Sequence, residues 1–248
     1  MPDLNQTIDW KILKNRAKAN WDLVITDEQL RQFVDYTAIL LDWNQRINLT
    51  AIIEPKDIII KHFIDSMAFI KKIDYYYPQK NIFLADIGTG AGFPGIPIKI
   101  LRPQIHVTLI DSLAKRISFL DYLITQLNLR DIQTCHARAE DLGRNKKHRE
   151  LYDVVVARAV AELPVLLEYC VPLLKVGGRL IAAKGIKPED EISSAKNALN
   201  LLNSQIETLD KYKLANGADY RSLIVIRKNK STPEKYPRQP GKPKKNPL

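Results

Sequence analysis

A glycine-rich loop is the first feature of this sequence that could bind a ligand. It reads Asp86-Ile-Gly88-Thr-Gly90-Ala-Gly92-Phe-Pro-Gly95, between a short apolar run and a helix-forming stretch. Glycines there permit a tight turn and let a ligand approach the bare backbone. Gly90, Gly92 and Gly95 also match the spacing G-x-G-x-x-G of dinucleotide-binding folds. The loop therefore predicts a nucleotide-like cofactor and leaves a nicotinamide dinucleotide open.

Two carboxylates beside this loop distinguish between cofactors. Asp86 directly precedes the glycines, where it would repel a pyrophosphate but attract the cationic end of an amino acid. Asp111 ends the next apolar run, next to Ser112, and could accept hydrogen bonds from both hydroxyls of a ribose. The alternative is that both acids are helix caps or solvated side chains. Together with the glycines, we interpret Asp86, Asp111 and Ser112 as contacts for S-adenosylmethionine.

Two further loops complete the predicted cofactor site. Ala137-Arg-Ala139-Glu140-Asp141 follows a third strand-like run, where a backbone amide and an acid could meet the adenine edge. An exposed loop is an equal alternative for this segment. Val156-Ala-Arg158-Ala-Val160 follows the fourth run and lacks the Asp/Asn-Pro-Pro-aromatic motif of amino-group methylation. It also lacks the Pro-Cys nucleophile of pyrimidine carbon methylation.

With amino-group and pyrimidine carbon methylation disfavoured, we expect a substrate atom that already has an available lone pair. Guanine N7 is such an atom. Its methylation requires no general base, so alignment of the reactants supplies most of the catalysis. Arg158 is the predicted catalytic residue, because a guanidinium can hold guanine O6, the cofactor carboxylate or a phosphate. A surface ion pair is the alternative. We interpret Cys170 as a small core residue.

The elements that must position these residues follow from periodicity. Helical spacing predicts that the first ~75 residues are all-helical, with a capped helix at Asp27–Gln45 and another from Pro55 to about Ile73. Seven strands are predicted at Ile82–Ile87, His106–Ile110, Ile132–His136, Tyr152–Ala157, Arg179–Ala183, Ile206–Tyr212 and Ser222–Arg227. Helices are predicted between them at Gly95–Leu101, Leu113–Leu127, Leu163–Leu174 and Glu189–Asn203.

The last two strands are joined by only the short segment Lys213–Arg221, which predicts an antiparallel hairpin. A mostly parallel seven-stranded α/β sheet with this ending is the class I, Rossmann-like methyltransferase fold, not the all-parallel six-stranded dinucleotide fold. The predicted organisation is a helical extension at 1–75, a cofactor-binding domain at 76–227 and a tail at 228–248.

Composition limits the class of protein and its partners. The 248 residues carry a net charge of +10, and two cysteines cannot form a disulfide framework or a structural zinc site. No stretch approaches the ~18 apolar residues of a membrane span. We expect a cytoplasmic protein with no metal and no membrane partner.

The C-terminal tail is strongly basic. Residues 227–248 contain eight Lys or Arg residues against Glu234 alone, together with five prolines. An extended basic arm is therefore expected, with Arg238, Lys242, Lys244 and Lys245 on RNA phosphates and no role in cofactor binding. The alternative is a solubilising, disordered end.

The motifs of this sequence closely resemble those of the small-subunit ribosomal RNA guanine-N7 methyltransferases, the RsmG or GidB family. The matching segments are Trp43–Thr50, His62–Ser66, Asp86–Pro97, Leu109–Arg116 with Phe119-Leu120, Ala139-Glu140, Ala157–Ala159 and Lys184-Gly185. The resemblance implies methylation at N7 of one 16S rRNA guanine near the decoding site of the small subunit. We expect the protein to be a monomer.

The same resemblance implies roles for individual residues. It assigns S-adenosylmethionine contacts to Gly88, Phe93, Ala139, Glu140 and Arg158, with Asp111 on the ribose. Phe93 by itself would be interpreted as a packing residue. It also places six residues around the cleft: Asn48, His62, Asp65, Ser66, Lys115 and Arg116. Cations are unfavourable at a helix N-terminus, so the last two are expected to contact RNA phosphates.

Two other functions remain open from the sequence. A nicotinamide-dependent oxidoreductase would use Gly90, Gly92 and Gly95 but requires a Tyr/Lys or His constellation that we do not find. An RNA-binding protein with this fold would bind RNA with a steep salt dependence and transfer no methyl group.

Overall fold

The computed structural model describes residues 9–78, 81–214 and 219–248 and contains a seven-stranded sheet. The strands are β1 (Phe83–Ile87), β2 (His106–Asp111), β3 (Ile132–His136), β4 (Tyr152–Arg158), β5 (Leu174–Lys184), β6 (Ser204–Lys213) and β7 (Tyr220–Lys228). Their order is β3-β2-β1-β4-β5-β7-β6. β1 to β5 are parallel, and β7 pairs antiparallel with both β5 and β6. The predicted fold class, including the terminal hairpin, is confirmed.

The strand predictions differ from the structure mainly at β5. This strand begins at Leu174, five residues before the predicted start, because Leu174 already pairs with Tyr152. Within this strand Gly177 adopts a φ of 84°, a conformation that glycine tolerates. Apolar periodicity is interrupted there, so the pattern predicted only the part of the strand after Gly177. Part of the predicted hairpin connection, 215–218, lies outside the described residues, as does 1–8 of the helical extension.

Helices cover both faces of the sheet. They are α1 (Lys11–Trp21), α2 (Asp27–Ile47), α3 (Pro55–Ile58), α4 (Asp65–Tyr76), α5 (Gly95–Leu101), α6 (Ala114–Gln126), α7 (Ala139–Arg144), α8 (Leu163–Cys170), α9 (Glu189–Ser194), α10 (Lys196–Leu201) and α11 (Lys242–Lys245). A π-helical turn at Ile59–Ile64 joins α3 to α4, and a 3-10 turn at Val171–Leu173 follows α8. None of the helices in the described residues combines the length and apolar character needed to span a membrane.

The N-terminal helices are positioned by caps and by a core that they share with the sheet. Thr26 and Gln29 form the predicted capping box, which satisfies two of the first N–H groups of α2. Phe33 of α2 and Phe63 of the π-helical turn pack with tilted rings, 4.7 Å between centroids, in a buried apolar cluster that also contains Val156 of β4. Adjacent strand residues face opposite sides, so Val155 lies in a second cluster with Cys170. The interpretation of Cys170 as a core residue is confirmed.

The loop after β1 is held by a buried carboxylate. Asp86 Oδ2 accepts hydrogen bonds from Thr89 Oγ1 at 2.7 Å and Gly95 N at 2.8 Å. Its Oδ1 atom has no hydrogen-bond partner among the described residues. Burial raises the pKa of Asp86 to about 7, although the donors from Thr89 and Gly95 oppose this shift. Asp86 therefore stabilises the turn from inside, and its carboxylate faces the loop.

The tail packs against the body of the protein, so the prediction of an extended basic arm is wrong. Tyr236 is buried, and the Arg238 guanidinium makes a double hydrogen bond with the fully buried Glu168. Lys228 ends β7 and is buried against Glu150, with Nζ to Oε1 at 2.8 Å. The sequence shows the cations of the tail, whereas their carboxylate partners lie 70 and 78 residues earlier in the chain. The alternative of a disordered end is also wrong.

The Arg238–Glu168 pair leads to a test of how firmly the tail is attached. Replacing Arg238 by Ala leaves the Glu168 carboxylate buried without its cation, so we expect a loss of about 3 kcal/mol in the free energy of unfolding. Urea denaturation measures this loss. Arg31→Ala is the control, because its pair with Glu28 is exposed and should leave the urea midpoint unchanged. Equal midpoints for Arg238→Ala and wild type would contradict a docked tail.

The raised pKa of Asp86 predicts a pH-dependent stability. In the folded protein the Asp86 carboxyl keeps its proton up to a pH of about 7. In the unfolded chain, where its pKa is near 3.8, the same carboxyl releases the proton at a lower pH. This contribution to stability is present below the unfolded pKa and is lost as the pH rises to about 7. Asp86→Asn keeps an acceptor and carries no charge, so we expect it to gain stability relative to wild type between about pH 5 and about pH 8. Urea unfolding at both pH values measures the difference, and an equal difference at the two pH values would contradict the raised pKa of Asp86.

Candidate functional site

A cleft of about 290 Å³ opens at the carboxyl ends of the parallel strands. Ligands of open α/β sheets bind at this edge, where the strand order changes direction between β1 and β4. The residues that line the cleft come from the carboxyl ends of β1, β2 and β4 and the loops that follow them, from the start of α7 and the loop before it, and from α6 and α8. They are Ile87, Gly88, Ile110, Asp111, Ser112, Arg116, Ala137, Arg138, Ala139, Glu140, Ala159, Val160 and Tyr169. The structure thus brings together five predicted cofactor residues, Gly88, Asp111, Ser112, Ala139 and Glu140.

The glycine loop follows a path that side chains would obstruct. Gly88 and Gly90 have φ values of +64° and +59°, in the left-handed region. A Cβ atom on Gly88 would also lie 2.8 Å from Val160 Cγ2, so this glycine meets the loop after β4 at close range. Gly92 lies deeper, where a Cβ would be 2.9 Å from the Tyr36 hydroxyl. Gly88 therefore faces the cleft, whereas Gly92 packs on the core.

Asp111 connects the glycine loop to the start of α6. Its carboxylate accepts hydrogen bonds from Gly90 N at 3.0 Å, Leu113 N at 3.0 Å and Arg116 Nη1 at 3.1 Å. The side chain is only 3% exposed, yet it lines the cleft. Arg116, which is predicted to bind RNA, is thus already paired, whereas Lys115 is exposed. The N-cap of α6 is Leu113 and receives no side-chain cap hydrogen bond, so the helix-cap alternative for Asp111 is wrong, whereas its place in the cleft fits the predicted cofactor contact.

The segment after β3 is a short helix, so the alternative of an exposed loop is wrong. Ala139 and Glu140 begin α7 and are buried. Glu140 Oε1 accepts a hydrogen bond from the backbone N–H of Gly241 in the tail, at 3.0 Å. Tyr169 of α8 lines the opposite part of the cleft. Periodicity indicated a helix there but gave no signal that this tyrosine faces a ligand site.

Arg158 lies in a second cleft, of about 470 Å³, that shares Ala159 and Val160 with the first. Its Nη1 donates to Asp65 Oδ2 at 3.0 Å and to the Lys61 carbonyl at 3.2 Å. The two side chains are 14% and 6% exposed, so this ion pair is buried and the surface-pair alternative is wrong. The N-terminal helices therefore position the guanidinium at the end of β4.

His62 lies beside Arg158 as a neutral imidazole. Burial, with a smaller effect from the Arg158 charge, lowers the pKa of His62 to about 3. Because Arg158 Nη2 donates toward His62 Nδ1 at 3.3 Å, we assign the ring proton to Nε2, which lies 3.0 Å from Thr50 Oγ1. Ser66 is buried and donates to the His62 carbonyl, at 2.6 Å. This ring is a hydrogen-bonded support for Arg158.

Phe93 packs against both His62 and the Arg158 guanidinium. It is buried and stacks between the rings of Tyr36 and His62, with centroid distances of 5.2 and 4.4 Å. The Arg158 guanidinium lies 5.1 Å from its centroid, within the range of a cation–π contact. The structure therefore places Phe93, like Gly90, Gly92 and Asp86, outside the lining of the cofactor cleft.

Three residues near Arg158 were missed by sequence reasoning. Tyr212 of β6 donates to Asp65 Oδ1 at 2.7 Å and so holds the second oxygen of that carboxylate. Lys184 bonds the Ala161 carbonyl and the Glu191 carboxylate, which also accepts from Leu163 N. These bonds fix the loop between β4 and α8. Lys184 lies in a matching motif, but no local pattern marks Tyr212 or Glu191.

The remaining predicted residues lie on the surface. Asn48 ends α2 in a left-handed conformation and is exposed. Lys242, Lys244 and Lys245 are exposed on α11. Arg238, which was predicted to contact RNA with these three lysines, is instead paired with Glu168.

Comparisons with known proteins identify the family. Residues 29–218 match the family described as GidB, rRNA small subunit methyltransferase G. Ribosomal RNA small subunit methyltransferase G of Desulfitobacterium hafniense is 46% identical over 238 residues, 96% of this chain and 97% of its own length. The protein of that name from Acetivibrio thermocellus is 51% identical over 224 residues, 90% of each chain.

Solved structures with the same fold are much more distant in sequence. TrmN from Thermus thermophilus matches with a TM-score of 0.51 and 19% identity, over 66% of this chain and 48% of its own. The ribosomal protein L11 methylase from Lactobacillus delbrueckii matches with a TM-score of 0.50 and 19% identity, over 68% and 79%. These two matches establish the fold. The sequence relatives establish more: the chain belongs to the rRNA small subunit methyltransferase G family.

Proposed function

We propose that this protein transfers a methyl group from S-adenosylmethionine to N7 of a guanine in 16S rRNA of the small ribosomal subunit. Family membership supports the reaction class and the RNA substrate. The observation that carries the proposal is the juxtaposition of two clefts: one lined by Gly88 and Asp111, the other by Arg158, with Ala159 and Val160 between them. This arrangement suits a cofactor and a base that meet at one point.

The residues of the first cleft fit S-adenosylmethionine. Bound there, the cofactor supplies an electrophilic methyl group on a sulfonium. Gly88 presents bare backbone to the cleft, and Ala139 and Glu140 form the wall assigned to adenine. Asp111 already accepts three of the roughly four hydrogen bonds open to a carboxylate. One ribose hydroxyl can take the remaining position, and a second would displace Arg116.

The neighbourhood of Arg158 suits a reaction without proton transfer at the nucleophile. N7 of guanine attacks through its lone pair, so no side chain has to accept a proton from that atom. His62 is neutral and is engaged with Thr50 and Arg158, which agrees with a structural role. Arg158 is held on one side by Asp65 and remains able to donate to guanine O6, the cofactor carboxylate or a phosphate.

The proposal includes an RNA interface, a cellular site and an oligomeric state. Exposed Lys115, Lys242, Lys244 and Lys245 would contact RNA phosphates. The protein would act in the cytoplasm, which agrees with two free cysteines. The proposal further holds that the protein acts as a monomer.

Methyl transfer to small subunits tests the proposal directly. Subunits from cells that lack the enzyme of this family are incubated with protein and labelled S-adenosylmethionine, and the RNA is then cleaved chemically at N7-methylguanine. We expect label at one guanine and cleavage at the same position. Binding of cofactor with no transfer to subunits or to naked rRNA would refute the enzymatic role and favour an RNA-binding function. Preferential binding of NADH would favour the oxidoreductase alternative.

Arg158→Lys tests the role of the guanidinium. Lysine keeps the positive charge but loses the planar pair of donors, so we expect kcat/KM for rRNA to fall by about 10- to 100-fold. Arg31→Lys is the matched control, because Arg31 forms an exposed pair with Glu28 and should leave kcat/KM unchanged. Steady-state methyl transfer measures both variants. Wild-type kcat/KM for Arg158→Lys would show that charge alone suffices at this position.

A further inference from the structure

We propose that the C-terminal segment 229–248 is part of the cofactor site, because its Gly241 amide fixes Glu140 at the edge of the cleft and so sets cofactor affinity. The inference rests on the proposed function for the identity of the cofactor. It reverses the expectation that the tail acts on RNA alone.

The segment contacts the cleft through a hydrogen bond to a residue of the lining. Glu140 is 5% exposed and lines the cleft, and its Oε1 accepts from Gly241 N at 3.0 Å. Gly241 has a φ of +82°. A Cβ there would meet nothing within 4 Å. The side-chain space of Gly241 is thus empty, and its contribution to the cleft comes from the direction of its N–H group.

The rest of the segment is anchored to both helices that flank this edge of the cleft. On α7, Arg144 Nε donates to the Pro237 carbonyl at 2.9 Å, and Gly143 packs so closely on Pro237 that a Cβ would lie 2.7 Å from its Cγ. On α8, Glu168 binds Arg238 and directly precedes Tyr169, which lines the cleft. The segment therefore bridges the two helices that carry Glu140 and Tyr169.

The helix α7 needs such an external support. It has only six residues, and an isolated helix of that length does not form stably in water. Removal of a hydrogen-bond donor from a buried carboxylate such as Glu140 also destabilises the fold around it, because the acceptor is left unsatisfied. Without the Gly241 amide, the Glu140 carboxylate must bind water or adopt another rotamer. The wall of the cleft that Glu140 forms is then no longer held in one position. We expect weaker cofactor binding and an unaltered chemical step.

The three exposed lysines of α11 form a separate feature of the same segment. Lys242, Lys244 and Lys245 follow Gly241 directly and point to solvent. Their charge can be removed while the Gly241 amide stays in place. This arrangement allows the cofactor role and the RNA role of the tail to be tested independently. The family match ends at residue 218, before the segment begins.

The first experiment compares full-length protein with a chain that ends at Pro240. This truncation removes the Gly241 amide and α11, together with the Asn246 carbonyl that accepts from Arg238 Nη2, but retains Tyr236 and the pair of Arg238 with Glu168. Calorimetric titration with S-adenosylmethionine gives Kd, and methyl transfer to small subunits gives kcat and the cofactor KM. We expect Kd and KM to rise by roughly three- to tenfold at unchanged kcat, the cost of one lost hydrogen bond near the ligand. A wild-type Kd in the truncated protein would overturn the inference.

Two full-length variants keep the test decisive should the truncated chain not fold. Gly241→Ala disfavours the left-handed conformation without a steric clash and should raise Kd in the same direction. Gly241→Asn is its matched control, because asparagine adopts that conformation more readily, and its Kd should stay closer to the wild-type value. Equal Kd values for Gly241→Ala and wild type would overturn the inference.

A double-mutant cycle shows whether Gly241 acts through Glu140. In a Glu140→Ala background the truncation should cause no further rise in Kd, whereas additive effects would assign the loss to another contact and overturn the inference. Replacement of Lys242, Lys244 and Lys245 by Ala should weaken RNA binding and leave the cofactor Kd unchanged. If this triple variant reproduces the truncation, charge and not the amide is responsible, which also overturns the inference.

The same measurements separate this inference from the proposed function. A wild-type protein that binds no S-adenosylmethionine would refute the proposed function and, with it, a cofactor role for the tail. A wild-type protein that binds and transfers methyl groups, together with a truncated protein of equal Kd, would refute only the role of the tail.

Discussion

Asp65 and Arg158 form a buried ion pair at the carboxyl end of β4, and three parts of the chain meet there. Asp65 begins α4, Arg158 ends β4, and Tyr212 of β6 donates to the second oxygen of Asp65. Removal of one partner from such a pair costs about 3–5 kcal/mol, because the other charge stays buried. This cost is a large part of the stability of a typical protein. The N-terminal helices are therefore fixed to the sheet at the point where the two clefts meet.

The surroundings of this ion pair explain the charge states of Arg158 and His62 near the second cleft. Arg158 contributes a permanent cation, and its field together with burial keeps His62 neutral. A protonated His62 beside Arg158 would place two buried cations at 3.3 Å. Phe93 stacks on the His62 ring and lies 5.1 Å from the Arg158 guanidinium, so both groups have an apolar neighbour. At neutral pH the site thus holds the permanent cation of Arg158 beside a neutral His62. Asp86 is the group that titrates there, because burial raises its pKa to about 7 against the opposing effect of the Arg158 charge.

Local patterns predicted the sheet and the glycine loop because both depend on near neighbours in sequence. Apolar runs fixed the seven strands, and the positive φ values of Gly88 and Gly90 require the residue type that the motif shows. The direction of the Asp86 side chain was not predictable, since it depends on the fold of the nine residues up to Gly95. Tyr212 lies 147 residues from Asp65, and no single-sequence pattern connects them.

The tail shows most clearly why residue charge alone is a poor guide to function. Lys228 and Arg238 count toward its basic composition, yet Glu150 and Glu168 neutralise them inside the fold. Cations that are paired in this way release no counterions when RNA binds, so they add nothing to electrostatic affinity. The exposed lysines of α11 retain that capacity, and they are held near Glu140 by the same buried pairs. Part of the charge of the tail therefore folds the tail, and that folding determines where the remaining charge is presented.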